Sequence, residues 1–122
     1  MRLVGSSPVW QRDEVSINGE KFSHGITVQA RSSVTIDLNR SCAVYEARVG
    51  LDDLTRGIGA AVFRVEGDDE ELWRSAVVGG RDAAVSLSVP LEGVRTLRLV
   101  VEPQGLLGAA ALADWAESEI LC

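Results

Sequence analysis

Apolar and polar residues alternate with a period of two over much of this chain. Tyr45, Ala47 and Val49 interleave with Glu46 and Arg48, and Ala61, Phe63 and Val65 with Val62, Arg64 and Glu66. The same rhythm runs through Val34, Ile36 and Leu38, through Val85, Leu87 and Val89, and through Leu97, Leu99 and Val101. Successive side chains of a strand point to opposite faces, so this period predicts strands with one face on a core.

Turn signals punctuate these runs. Asn18-Gly19 between Val15–Ile17 and Glu20–Ser23 predicts a hairpin with a type I′ turn, whose twist matches its strands. Gly67-Asp68-Asp69-Glu70 and Gly79-Gly80-Arg81-Asp82 are further turns, the first leading into a strand over Glu71–Val78. Ile26–Ala30 is a short strand. Asp114–Leu121 reads as a closing strand, with a short helix over Ala109–Glu119 as the alternative that its Ala, Leu and Glu content favours. The total is about nine strands at short spacing, which predicts an all-β fold, an antiparallel β-sandwich or jelly roll.

Length adds that residues 1–122 form one domain, with an irregular, turn-like segment over 1–13. With 46% hydrophobic residues the chain can fill a core without metal or disulfide staples. A net charge of −6 argues against nucleic acid, which selects a basic stripe, and against an anionic membrane surface. No apolar run is long enough for a membrane helix, and the first residues show no signal-peptide core. Cys42 and Cys122 lack the spacing of a zinc or redox motif. Free thiols are the expectation, and a disulfide requires the last strand to lie beside the strand that follows Cys42.

The candidate chemistry is sparse. The one histidine, His24, lies in a turn beside Gly25, and no nucleophile elbow or phosphate-cradling loop is present. Adjacent carboxylates such as Asp52/Asp53 point apart, whereas a glycosidase needs two converging on one bond. The expectation is therefore a protein that is not an enzyme. The loop from Leu51 to Ile58 joins two long strands and presents Asp52 and Asp53 at one end of a sheet, a usual place for a binding function. Asp52, Asp53 and Asp114 could converge to hold calcium if the 103–114 loop meets that end. Sugars take a flat apolar platform beside planar polar groups. Trp10 lies near Gln11 and Arg12. Trp73 alternates with Leu72 and is expected to face outward, and Trp115 to fill the core.

Several ordered stretches resemble the NPCBM family of carbohydrate-binding modules. They are Ile17–Ile26, Val34–Leu38, Tyr45–Asp53 with Val49-Gly50-Leu51-Asp52-Asp53, Val62–Val65, Leu72 with Ser75, Gly93–Val101, and Ala113-Asp114-Trp115-Ala116. The resemblance runs from about Trp10 to the end. It implies a galactose-binding-like sandwich and a non-catalytic module attached to a larger, extracellular or cell-surface protein. It also implies a carbohydrate partner, with galactose-containing glycans bound by some relatives and calcium carried by others. Where the family commonly has Thr-His-Ala, this chain has Val28-Gln29-Ala30. Where it commonly has Tyr-Asp-His-Ala-Asp-Trp, this chain has Ala110-Ala111-Leu112-Ala113-Asp114-Trp115. The sugar pocket implied is built from Asp52, Asp53, Gln29 and Trp10, with Trp73 as a further exposed aromatic. The alternative is a degenerate sandwich kept for protein contact or as a spacer, with Trp73 in its contact patch.

Overall fold

The computed structural model describes residues 3–5, 9–29, 31–38, 42–55, 59–105 and 112–122. They form thirteen strands: β1 (Leu3–Gly5), β2 (Val9–Arg12), β3 (Val15–Ile17), β4 (Glu20–Phe22), β5 (Gly25–Gln29), β6 (Ser32–Asp37), β7 (Val44–Leu51), β8 (Ala60–Gly67), β9 (Glu70–Arg74), β10 (Val78–Gly79), β11 (Val85–Pro90), β12 (Thr96–Gln104) and β13 (Leu112–Leu121). A 3-10 turn covers Asp53–Thr55. One sheet, here sheet A, runs β1-β6-β12-β8-β10 with β9 paired to β8; sheet B runs β11-β7-β13-β5-β2; β3 and β4 form a separate hairpin. All pairs are antiparallel.

The alternation predicts the inner faces correctly. Tyr45, Ala47 and Val49 of sheet B are buried, as are Ala61, Phe63, Val65, Leu97, Leu99 and Val101 of sheet A. The two inner faces close on Trp115, which is fully buried with Phe63 edge-on at 5.4 Å and Tyr45 tilted at 6.4 Å. Edge-to-face rings at such distances add to the area term. Burial raises the Tyr45 phenol's pKa, although its hydroxyl meets Ser118 Oγ at 2.8 Å.

Four expectations need correction. The 1–13 segment is not irregular throughout: β1 and β2 are edge strands, one on each sheet. Both are short and carry no sustained alternation, so only their distant partners define them. The single strand over Glu71–Val78 is divided. Ser75 Oγ accepts from Phe63 N at 2.9 Å and donates to Ala76 O at 2.6 Å, ending β9 before β10 begins. Trp73 is not outward: it is half-buried against the core, and Leu72 takes the exposed side. Its register partner is Val65, a core residue, and the pairing shifts between Val65 and Glu66. That bulge resets which face β9 presents. Finally, Cys42 and Cys122 form a disulfide rather than free thiols. β13 does lie beside the start of β7, with Ala43 N donating to Leu121 O at 2.7 Å.

The last segment is a strand, β13, broken by a bulge between Ala116 and Glu119 where Glu117 has φ 48°. The β3–β4 hairpin turns through Asn18 and Gly19, at φ 49° and 83°, as a type I′ turn requires. It packs through Val15, Ile17 and Phe22 on Ala116. Gly50 makes room for it, since a Cβ there would stand 2.4 Å from Ile17 Cγ2.

Candidate functional site

The end of sheet B where β7 and β5 stop and β13 begins gathers most of the predicted residues. Asp52 N donates to Leu112 O at 2.7 Å, and Leu112 pairs with Gln29. Asp52, Leu112 and Gln29 therefore stand in one row across the rim. Asp53 follows Asp52 in the 3-10 turn. Two rows inward, Gly50 pairs with Asp114, Asp114 with Thr27, and Thr27 with Trp10. Trp10's side chain, and Leu106 and Leu107 of the 103–114 loop, lie outside the described residues.

Beneath the rim lies a buried polar cluster. Arg12 NH1 donates to Asp52 Oδ1 at 2.8 Å and to Thr27 Oγ1 at 3.2 Å, and Thr27 Oγ1 donates to Asp114 Oδ1 at 2.7 Å. Asp52 Oδ2 accepts from Leu54 N at 2.9 Å, which starts the 3-10 turn. Asp52 is 1% exposed and Asp114 0%. Burial, and then the hydrogen bond to Asp52, push the Asp114 carboxyl up to about 9, against the lowering effect of Thr27. Asp114 therefore holds its proton at neutral pH. As an ionised group its Oδ2 would have no donor among the described residues, whereas protonated it becomes a donor toward Asp52.

Asp53 behaves differently from its neighbour. It is exposed, and its Oδ2 accepts from Ser16 Oγ and from Gly19 N at 3.0 Å on the β3–β4 hairpin. The Ser16 hydroxyl, helped by the Gly19 amide, holds this carboxyl below the usual carboxylate range. The rim thus presents an ionised, oriented acceptor, with Gln29 exposed two strands away.

The three aspartates expected to hold calcium do not converge. Asp53 turns outward to the hairpin, Asp52 is ion-paired to Arg12, and Asp114 is protonated. Calcium needs six to eight oxygen ligands, and a guanidinium already occupies the cationic place in this cluster. Among the described residues no group of three or more His, Cys, Asp or Glu is arranged to hold a metal. This donor set does not suit calcium. Trp73 lies on sheet A, away from the rim, and its inward packing removes the apolar patch that motivated the protein-contact alternative.

Arg12 and Thr27 were not singled out from sequence. A buried acidic pair needs a cation or a shared proton, so the motif Asp52…Asp114 carried the signal, but not which arginine answers it. The two positions where this chain departs from the histidine-bearing pattern, Gln29 and Leu112, are direct partners across β5 and β13. The departures fall together at one point of the rim.

The fold is an antiparallel sandwich with a polar, loop-built rim at one end of sheet B. Residues 4–121 match the NPCBM/NEW2 domain, and the chain belongs to that family. It is 33% identical over 108 residues to a Renibacterium salmoninarum protein assigned by name as an endo-alpha-N-acetylgalactosaminidase; the match takes in 88% of this chain and 7% of that protein. It is 34% identical over 92 residues to alpha-1,3-galactosidase B of Akkermansia muciniphila, 72% of this chain and 12% of that one. The chain thus spans a small part of these relatives' length. Among solved structures it is similar to CBM51 from Clostridium perfringens GH95, solved in complex with methyl-galactose, with a TM-score of 0.83, 24% identity, and coverage of 98% of this chain and 92% of that one. It is also similar to CBM51-2 of Clostridium perfringens ZmpB, solved with GlcNAc, with a TM-score of 0.85, 20% identity, and coverage of 98% and 29%. The fold is that of carbohydrate-binding modules.

Proposed function

We propose that this domain is a non-catalytic carbohydrate-binding module that holds a galactose-type sugar at the rim of sheet B, as an accessory part of a larger glycan-active protein. The observation that carries this reading is the contrast between the two neighbouring aspartates. Asp52 is consumed inside, where with Arg12 it fixes the loop. Asp53 is left on the surface as an ionised acceptor whose orientation the hairpin fixes. Sugar hydroxyls are donors, and a preorganised carboxylate binds them without the cost of ordering a flexible side chain. Gln29 supplies a second planar group on the same rim.

Supporting the sugar class, both long relatives carry names of enzymes acting on galactose or N-acetylgalactosamine linkages, and one solved relative holds methyl-galactose. Against catalysis, the acidic pair at this end is buried, shares a proton and is bound to arginine, so it offers neither a nucleophile nor an exposed general acid. An extracellular or surface setting fits the disulfide, which persists in oxidising compartments. A glycan array printed with galactose-, N-acetylgalactosamine- and GlcNAc-terminated glycans tests the proposal, read with calcium and with chelator. Retention on galactose-type termini in both conditions is the expected result. Silence across the array, or retention that does not distinguish the termini, contradicts it.

A further inference from the structure

Arg12 offers more than a counter-charge to Asp52. A guanidinium carries five N–H donors in one plane. Both protons of Arg12 Nη1 are used below the rim, on Asp52 Oδ1 at 2.8 Å and on Thr27 Oγ1 at 3.2 Å. The Nε proton and the two on Nη2 have no partner among the described residues. Nε–H and one Nη2–H run parallel along one edge, the fork that reaches two oxygens at once. That edge lies opposite Nη1. With Nη1 anchored inward, the fork is turned away from the buried pair, and the side chain is 31% exposed.

The register brings this fork to the rim. Thr27, which holds Nη1, stands two residues before Gln29 on β5. Val28 between them points into the core, so Thr27 and Gln29 share the opposite face, roughly 6–7 Å apart along the strand. On the other side, Asp52 accepts from Arg12 and is followed directly by Asp53. The guanidinium, Gln29 and Asp53 therefore surround one short stretch of the rim.

Their hydrogen-bonding characters are complementary. The Arg12 fork only donates, ionised Asp53 only accepts, and the Gln29 amide does both. A sugar hydroxyl also does both, so a pair of adjacent hydroxyls can take the fork on its oxygens and give its protons to the carboxylate. An anionic ligand fits less well, because the Asp53 carboxylate opposes it and the Arg12 charge is already matched by Asp52. The fork is fixed through Nη1 before any ligand arrives, which lowers the ordering cost of binding.

We propose that Arg12 is a direct ligand of the sugar, its Nε/Nη2 fork donating to two adjacent ring hydroxyl oxygens while Asp53 accepts from the sugar. The proposal rests on the reading of the rim as a sugar site, and it names the contact that selects a neutral vicinal diol. The test is calorimetric titration of methyl-galactoside and its 2-, 3- and 4-deoxy derivatives into the wild type and into Arg12→Lys. Lysine keeps a cation beside Asp52 but has no fork. In the wild type, deletion of either of two adjacent hydroxyls should weaken binding at least about tenfold, and the pair affected identifies the diol. Arg12→Lys should weaken methyl-galactoside by a similar factor, after which the same two deletions should cost little more. A purely supporting arginine would instead weaken all four sugars alike and leave the deletion costs in place. A second measurement needs no variant: in the isotope-labelled wild type, the Arg12 Nε–H resonance should shift as methyl-galactoside is added. Deletion costs that persist in Arg12→Lys, or an Nε–H resonance unmoved while the sugar binds, overturn this contact and leave the rim site standing. Absence of methyl-galactoside binding by the wild type overturns both.

Discussion

At the scale of single residues, Asp114 is the most consequential group. Its carboxyl is buried beside Asp52 and raised to about 9, from an ordinary value of 3.8. The folded protein therefore keeps a proton that the unfolded chain releases above about pH 4. The stability attached to that proton is complete in acid. It declines as pH rises from about 4, and the decline ends near 9, where the folded carboxyl ionises too. Asp114→Asn mimics the protonated form, with an amide that can donate to Asp52 and a carbonyl that can accept from Thr27. Urea unfolding at a series of pH values should show a shallower slope for Asp114→Asn between pH 5 and 9, amounting to a relative gain on the order of a few kcal/mol at the alkaline end. An unchanged slope would show that Asp114 is ionised in the folded state.

At the scale of elements, the β3–β4 hairpin links packing to recognition. It holds Asp53 through Ser16 and Gly19, and it sits on Gly50. Gly50→Ala places a methyl group 2.4 Å from Ile17 Cγ2, so the hairpin must lift. The expected cost is about 1–3 kcal/mol, with faster amide exchange confined to residues 15–22; a change in exchange spread evenly over both sheets would contradict this local effect. Long strands and two-residue turns were legible in the sequence because each is a local pattern. Alternation marks Tyr45–Val49 and Leu97–Val101, and positive-φ residues mark Asn18-Gly19. What was not legible depends on distant partners. β1 and β2 are strands only because β6 and β5 offer open edges. Trp73 faces inward because a bulge opposite it shifts the register. Asp52 turns inward because an arginine forty positions earlier, Arg12, meets it. Of the predicted pocket, Asp53 and Gln29 stand exposed on the rim, Asp52 supports it from inside, and Trp73 is elsewhere.

At the scale of the whole molecule, the sandwich is closed at the end where β7 begins and β13 stops. The Cys42–Cys122 disulfide joins positions 80 apart in sequence. In the chain-entropy picture a loop of that length contributes about 4–5 kcal/mol by restricting the unfolded ensemble. Reduction should therefore lower the denaturant midpoint clearly while leaving a folded protein, because the core around Trp115 does not depend on the bridge. An identical midpoint with and without reductant would contradict the linkage. The polar cluster that sets the rim and the disulfide involve opposite ends of β13, so reduction should leave sugar affinity nearly unchanged. The division of labour is then plain: the buried rows supply rigidity, and the exposed carboxylate at the rim supplies recognition.

That division is tested most directly by calorimetric titration of methyl-galactoside into the wild-type domain and into Asp53→Ala, with circular dichroism confirming that both are folded. The expected result is measurable binding by the wild type and its loss in the variant, with an unchanged spectrum. Equal affinity in the two proteins, or no binding by either, would contradict the placement of sugar recognition at this rim.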